Sequence, residues 1–324
     1  MSITIKDIAK EANVSTTTVS RVINNKPDVS DKTKNKIKKI IKKYNYNPND
    51  IARGLVLNKT KTIGLIIPDI SNPFFPEVIK GVERKTKDSG YSVIISDTDN
   101  TIEEEKSSID LMLSKQVDGI IVSLSMDSKK ELEKLPSNKI PIVQLDRNIP
   151  ELEYPVVSIN NKLSGYKAAK YLIDCGHKKI AHVTGELQTK TAQDRLAGFK
   201  EALKSNNINI NKDFIIEGDY SKESGYDAMV SMIKTSLPTA VFFANDMMAI
   251  GAYEALSKYN INIPEEISII GHDDIHIASL VNPKLTTLIQ PKNKLGQIAA
   301  NLLIDLIENK SIEKRDKILD TELI

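Results

Sequence analysis

Polar side chains suited to holding a small molecule recur in this 324-residue chain wherever an apolar run stops. Asp146 and Arg147 follow IPIVQL, Asn245 and Asp246 follow AVFFA, and Asp273 and Asp274 follow IIGH. Gln290 comes after LTTLI, Arg195 opens RLAGF, and Phe74 and Phe75 stand shortly after TIGLIIPD, beyond Asp69 and Ser71. Carboxylates, amides and a guanidinium satisfy a dense set of hydroxyls, while aromatic faces cover C–H bonds. That is the chemistry of sugar recognition rather than of bond breaking. Plainer roles compete: Asp246 as a cap of its own helix, Asp274 as support for a turn, Arg147 as a salt-bridge partner. For Asp246 and Asp274 the structural role is the expectation.

Signals for catalysis are lacking. There is no GxSxG elbow, no P-loop and no GxGxxG after a strand, so no catalytic residue and no cofactor is expected. His272 and His276 are four apart, but in a predicted strand end and turn without cysteine support, which argues against a metal site. The single cysteine, Cys175, forms no internal disulfide and reads as inert packing at a helix end.

The elements that must carry these residues alternate between strand and helix. Apolar runs at 62–69, 91–99, 118–125, 140–146 and 155–160 make one set of strands. Runs at 179–185, 214–220, 239–246 and 266–274 make a second. Amphipathic stretches such as 73–90 and 194–206 lie between them. Such a pattern predicts α/β lobes with parallel sheets covered on both faces, and ligands beyond the carboxyl ends of the strands. Crossings between lobes are expected near Asn160-Asn161 and Gln290-Pro291, giving lobe one about 62–160 and 291–324 and lobe two about 161–290.

The N-terminus has a different character. Residues 1–61 hold 14 Lys and Arg against 5 Asp and Glu, and the remainder holds 31 against 38, so a segment of net charge +9 precedes a body of −7. A basic segment on an acidic body points to a polyanion partner for that segment, with nucleic acid the leading candidate. Thr4 and Asp7 form a capping-box pattern ahead of a short amphipathic helix over 5–12. Ser15 caps a second helix that buries Val19, Val22 and Ile23. A third opens at Ser30-Asp31 with Ile37, Ile40, Ile41 and Tyr44 on its apolar stripe and Lys34, Lys36, Lys38, Lys39, Lys42 and Lys43 on its other faces. Two short helices joined by a tight turn and followed by a basic third make a helix-turn-helix. The run Thr16 to Thr18 costs a few tenths of a kcal/mol per residue in propensity. It supplies short hydroxyls and methyls where such a helix meets base edges and phosphates, and Arg21 lies about one turn further on. Ser15 and Thr18 read as cap and packing. After Asn47-Pro48, the segment 51–57 is too short to be a stable isolated helix, and Gly54 weakens it further.

The stretch from Thr4 to Phe75, above all VSTTTVSRVIN and YNPNDIARGL, resembles the start of a lactose-repressor (LacI) family transcription regulator, and the likeness runs over nearly the whole chain. The resemblance implies a small all-α helix-turn-helix domain (1–48), a hinge helix and linker (49–61), and a two-lobed periplasmic-binding-protein-like core (62–324). It implies that Thr16, Thr17, Arg21 and Asn24 face operator DNA, that Leu55 wedges into the minor groove with Arg53 nearby, and that a homodimer binds. It favours Arg195 and Asp273 as effector residues, joined by Asn245, Gln290, Asp146, Phe74 and Phe75. Asn160 stands where relatives often have Asp. Thr189 stands where a purine-responsive relative has Arg, which argues against a purine. DRNIPELEYPVVSINN, DRLAGF, GHDDI and LTTLIQPKNKLG look most like ribose-operon repressors, so the implied function is a repressor of sugar-utilisation genes with a ribose-like effector. Alternatives are a global carbohydrate regulator governed by a phosphocarrier protein and, more distantly, a soluble sugar-binding protein. The absence of an apolar leader and of any membrane-spanning run leads to a cytoplasmic expectation with no membrane partner.

Overall fold

The computed structural model describes residues 3–23, 26–46, 59–125, 128–133 and 140–324. The chain separates into two compact units, Met1–Thr60 and Lys61–Ile324.

Among its described residues the first unit has three helices: α1 (Ile5–Ala12), α2 (Thr16–Ile23) and α3 (Asp31–Lys43). The capping box forms: Thr4 accepts from the Asp7 N–H, and the Asp7 carboxylate accepts from the Thr4 N–H at 2.9 Å. Asn13 ends α1 in the left-handed region (φ 55°), which a short polar side chain tolerates better than most, and turns the chain toward α2. Ile8, Ala9, Ala12, Val19, Val22, Ile37 and Ile40 close into one cluster. Each buried branched side chain contributes about 1.5–3 kcal/mol. Lys36 Nζ donates to the Ala12 carbonyl at 2.8 Å, satisfying one of the free carbonyls at the end of α1. Tyr44 departs from expectation. It is 41% exposed, with the Lys43 ammonium 4.6 Å from its ring, and Tyr46 packs on the cluster instead. The helix stops at Lys43, so the helical period no longer governs which tyrosine faces inward. The expected hinge helix, with Arg53, Gly54 and Leu55, lies outside the described residues, as does Asn24.

The second unit begins with β1 (Thr62–Ile67), α4 (Phe74–Asp88), β2 (Ser92–Asp97), α5 (Ile102–Ser114), β3 (Gly119–Val122), α6 (Lys129–Glu133), β4 (Ile142–Leu145) and β5 (Val156–Ile159). It continues with α7 (Asn161–Asp174), β6 (Ile180–Thr184), α8 (Lys190–Ser205), β7 (Ile215–Glu217), α9 (Lys222–Thr235), β8 (Ala240–Phe243), α10 (Asp246–Lys258) and β9 (Ser268–Ile270). The chain then runs through β10 (Leu288–Ile289), α11 (Lys292–Ile307), β11 (Lys317–Leu319) and β12 (Glu322–Leu323). Each apolar run yields its strand, shorter than the run itself. A six-stranded parallel sheet has the order β11-β5-β4-β3-β1-β2, and a four-stranded parallel sheet the order β7-β6-β8-β9. α11 returns to the first sheet and packs Leu295, Ala299 and Leu303 into its core. The tail does not stay there. β12 pairs antiparallel with β10, and Leu323 packs on the cluster of Phe199, Phe242 and Leu288. The assignment of everything after 290 to lobe one therefore needs correction at the last few residues, where the chain crosses a third time.

Three pairs of neighbouring helices approach through reciprocal glycines. A Cβ on Gly81 (α4) falls 2.1 Å from the Asn293 carbonyl, and one on Gly296 (α11) 2.1 Å from that of Val78. Gly165 (α7) and Gly198 (α8) stand in the same relation to Arg195 and Lys162, and Gly225 (α9) and Gly251 (α10) to Met248 and Lys222. No other residue type allows backbones this close. The middle pair matters for the site, because Arg195 sits on that seam.

Candidate functional site

The carboxyl ends of both parallel sheets open on a cavity of about 330 Å³. Its wall includes Phe74, Phe75 and Asp146 from the first lobe and Arg195, Asn245, Asp273 and Gln290 from the second. Residues far apart in sequence converge because strand ends in two open α/β sheets face one crevice.

Arg195 is buried and held on both sides. Nε donates to Asn161 Oδ1 at 2.9 Å and a terminal nitrogen donates to the Ala244 carbonyl at 2.5 Å. Asp273 is buried with φ 121°, an uncommon conformation for a residue with a side chain. Its Oδ1 accepts from Gln290 Nε2 at 2.7 Å and lies 3.1 Å from His272 Nδ1. Burial pushes His272 down to about 4, so at neutral pH the ring is neutral and its Nδ1–H donates to Asp273. Lys292 Nζ grips the Asp273 and Asp274 carbonyls, which fixes the strained turn from outside the cavity wall.

Asp146 is also buried and left-handed (φ 61°). Burial raises its carboxyl to about 6; Arg195 and Arg147 pull it down and Asp273 pushes it up. Asp146 Oδ1 and Gln290 Oε1 are buried without a hydrogen-bond partner. Phe74 and Phe75 meet edge to face with centroids 5.0 Å apart, and Asn72 Oδ1 accepts from the Phe74 N–H at 3.1 Å.

Asn245 uses both ends of its amide. Oδ1 caps α10 through the Met248 N–H (2.9 Å), and Nδ2 donates to the Tyr220 carbonyl (2.9 Å). The cap of that helix is thus Asn245 and not Asp246. Asp246 instead ties two loops, accepting from the Ile275 N–H at 2.9 Å and the Thr287 hydroxyl at 2.6 Å, outside the cavity wall. Asp274 has φ 54° and its N–H reaches Thr287 Oγ1 at 3.4 Å, as a turn residue does. Asn160 and Thr189 cap α7 and α8 and do not line the cavity.

Several wall residues were not singled out in the sequence: Glu186, Thr191, Asp219 and Tyr220 from lobe two, and Asp99 and Asn100 from lobe one. Arg147 connects the two sides. Its guanidinium is buried, 3.9 Å from Glu186 and 5.6 Å from the centre of the Tyr220 ring. Gly185 lets that ring lie against the backbone, since a Cβ there falls 1.9 Å from it.

On the helical unit, Ser15 Oγ accepts from the Thr18 N–H at 3.1 Å, the expected cap. Thr16 and Thr17 are exposed in the first turn of α2. Arg21 is exposed and pairs with Asp28 at 2.7 Å. Among the described residues no group of three or more His, Cys, Asp or Glu is placed to hold a metal, and no helix is long and apolar enough to cross a membrane.

A helix-turn-helix and a cleft between two α/β lobes define a protein that reads DNA with one part and a small molecule with the other. Residues 4–49 match the model for bacterial regulatory proteins of the lacI family, and residues 63–311 that for a periplasmic binding protein domain. The HTH-type transcriptional repressor PurR of Histophilus somni is 41% identical over 96% of this chain and 94% of that protein. The ribose operon repressor of Haemophilus influenzae is 39% identical over 98% and 96%. Among solved structures, the lac repressor dimer bound to operator and the anti-inducer ONPF is similar with a TM-score of 0.89 and 28% identity, over 100% of this chain and 98% of that one. A LacI family regulator from Enterococcus faecium with bound ribose is similar with a TM-score of 0.72 and 33% identity, over 81% and 96%. The chain belongs to the lacI family and is a DNA-binding transcriptional repressor of that type.

Proposed function

We propose that this repressor reads a near-palindromic operator as a homodimer in the cytoplasm, and that a ribose-like sugar held in the cavity alters its operator affinity. One helix-turn-helix reads a half-site, so a palindrome needs two. Thr16, Thr17, Arg21 and Asn24 face the major groove, while Arg53 and Leu55 serve the minor groove, the leucine as an apolar wedge. In the core, Arg195 and Asp273 carry recognition, Asp146, Asn245 and Gln290 add polar partners, and Phe74 and Phe75 form the apolar floor.

The observation that carries the effector reading is the pair of buried, unpartnered oxygens, Asp146 Oδ1 and Gln290 Oε1, in the wall of a cavity of about 330 Å³. That volume is at the lower end of the range for ligand sites, and buried acceptors without donors call for a ligand rich in hydroxyls. The phosphocarrier alternative makes no use of this constellation. Relatives named PurR raise a purine as a second candidate. Against it, Phe74 and Phe75 present an edge-to-face pair rather than a flat slot, and Thr189 is spent as a helix cap.

Thermal unfolding of the purified chain against ribose, other pentoses, hexoses and purine bases tests the reading. Ligand at a hundred times its Kd stabilises by about 2.7 kcal/mol. For a core of this size that is a shift of several degrees. Ribose should give such a shift; a shift with purine bases alone overturns the sugar assignment.

A further inference from the structure

We infer that the cavity admits uncharged ligands and rejects their phosphorylated forms, so that the effector, on the sugar reading proposed above, is a sugar without a phosphate. Among the described residues the wall holds six carboxylates, on Asp69, Asp99, Asp146, Glu186, Asp219 and Asp273, against two guanidiniums, on Arg147 and Arg195. Even with Asp146 protonated, five remain against two. Arg195 is bonded to Asn161 and the Ala244 carbonyl, whereas Arg147 is held only by an ion pair with Glu186 at 3.9 Å, and its buried Nη1 makes no hydrogen bond.

Helix N-termini are the usual cradle for phosphate, because free N–H groups and the positive end of the dipole converge there. Four helices begin at this cavity: α4 at Phe74, α8 just before Thr191, α9 after Ser221 and α10 after Asn245. A side chain takes one N–H at each start, and at α4 it is Asn72 that does so, because the cap residue Pro73 makes no side-chain bond. Asn72 accepts from the Phe74 N–H (3.1 Å), Thr189 from Ala192 (3.4 Å), Ser221 from Ser224 (3.1 Å) and Asn245 from Met248 (2.9 Å). Acids also stand shortly before three of them in sequence: Asp69 before α4, Glu186 before α8 and Asp219 before α9. Burial, with Asp273 beside it, raises Asp246 at the first residue of α10 to about 8, so it adds little negative charge at neutral pH. A phosphate of charge −1.5 to −2 entering a low-dielectric crevice of net negative charge meets a focused repulsive field, whereas a sugar hydroxyl meets acceptors.

Calorimetry on the full chain at about pH 7.5, where a phosphate monoester is mostly dianionic, reads this directly. Two matched pairs are used: ribose with ribose 5-phosphate, and inosine with inosine 5′-monophosphate. The expected result is ribose binding with its phosphate at least ~100-fold weaker, the order by which a cleft field alters local ligand concentration. Glu186→Gln, which frees Arg147 and removes one negative charge, should narrow that ratio at least several-fold. A phosphorylated member binding as tightly as its parent overturns the charge filter, and leaves the sugar reading standing if ribose binds. Inosine binding with ribose silent and the monophosphate excluded keeps the filter and overturns the sugar reading. No binding by any of the four overturns both.

Discussion

Arg21 and Asp28 meet across 2.7 Å on the exposed surface of the helical unit, so the guanidinium assigned to DNA is already engaged by a carboxylate. Both side chains are about half exposed, and pairs of that kind are worth only about 0.2–1 kcal/mol. The contact orients Arg21 without locking it away from a guanine edge. Asp28→Asn should therefore tighten operator binding a few-fold, by removing a competitor and a charge that repels phosphate. Arg21→Ala should weaken specific binding by about 1–3 kcal/mol while changing binding to random duplex much less. Equal losses on both DNAs, measured by fluorescence anisotropy, make Arg21 a phosphate contact and not a reader.

The seam between α7 and α8 links fold to site. A Cβ on Gly165 falls 2.0 Å from the Arg195 carbonyl, where only a shift of α7 and α8 apart relieves the clash. Gly165→Ala should cost about 1–3 kcal/mol of stability, the usual penalty for overpacking. It should also weaken effector binding, since Arg195 rides on the displaced helix. Gly90→Ala, where open space surrounds the added carbon, is the control for stability loss through a left-handed glycine (φ 73°) alone. An effector affinity unchanged in Gly165→Ala separates the seam from the site and contradicts the link.

His182 lies wholly buried in the second lobe, stacked on Phe242 at 4.5 Å between centroids, and Nδ1 donates to the Phe242 carbonyl at 2.9 Å. Burial holds its pKa down at about 3, opposed by that hydrogen bond. The unfolded chain takes up a proton near 6.5 and the folded chain does not until about 3, so this histidine makes stability fall as pH falls through that window. The slope is at most about 1.4 kcal/mol per pH unit. Relative to wild type, His182→Phe should thus gain stability steadily from pH 6.5 toward pH 4, whatever the other groups do. Denaturant unfolding at several pH values checks it; a constant difference between the two proteins rules out a neutral buried imidazole.

Much of this architecture is legible in the sequence. Every strand of both large sheets except β11 stands out as an apolar run, and the parallel αβ pattern places their polar ends, Asp146 and Asp273 among them, at one crevice. Arg195, inside α8, is singled out by the family resemblance. Asp219 and Tyr220 escape because β7 is three residues long and half exposed, so FIIEGDY reads as one strand when it ends at Glu217, and Glu186 lies in the turn after β6 with no pattern to mark it. Asp99 was absorbed in the same way into a run whose strand stops at Asp97. β11 and β12, at three and two residues, carry too little periodicity to signal, and their pairing depends on long-range contacts with β5 and β10. The cap of α10 was displaced by one residue because Asn245 and Asp246 are both good caps and only geometry chooses between them.

One molecule is expected to couple the cleft to DNA, and linkage makes that coupling directly measurable. An effector that changes operator affinity by some factor must have its own affinity changed by the same factor when operator is bound. An operator selected from a random duplex pool, titrated by anisotropy with and without saturating ribose, gives one factor. Calorimetry of ribose with and without operator gives the other. The expected result is at least a five-fold change, the lower end for allosteric coupling, equal in the two measurements and lost in Arg195→Lys while the operator is still bound. Identical operator affinity with and without ribose, in a protein that binds both, would contradict it.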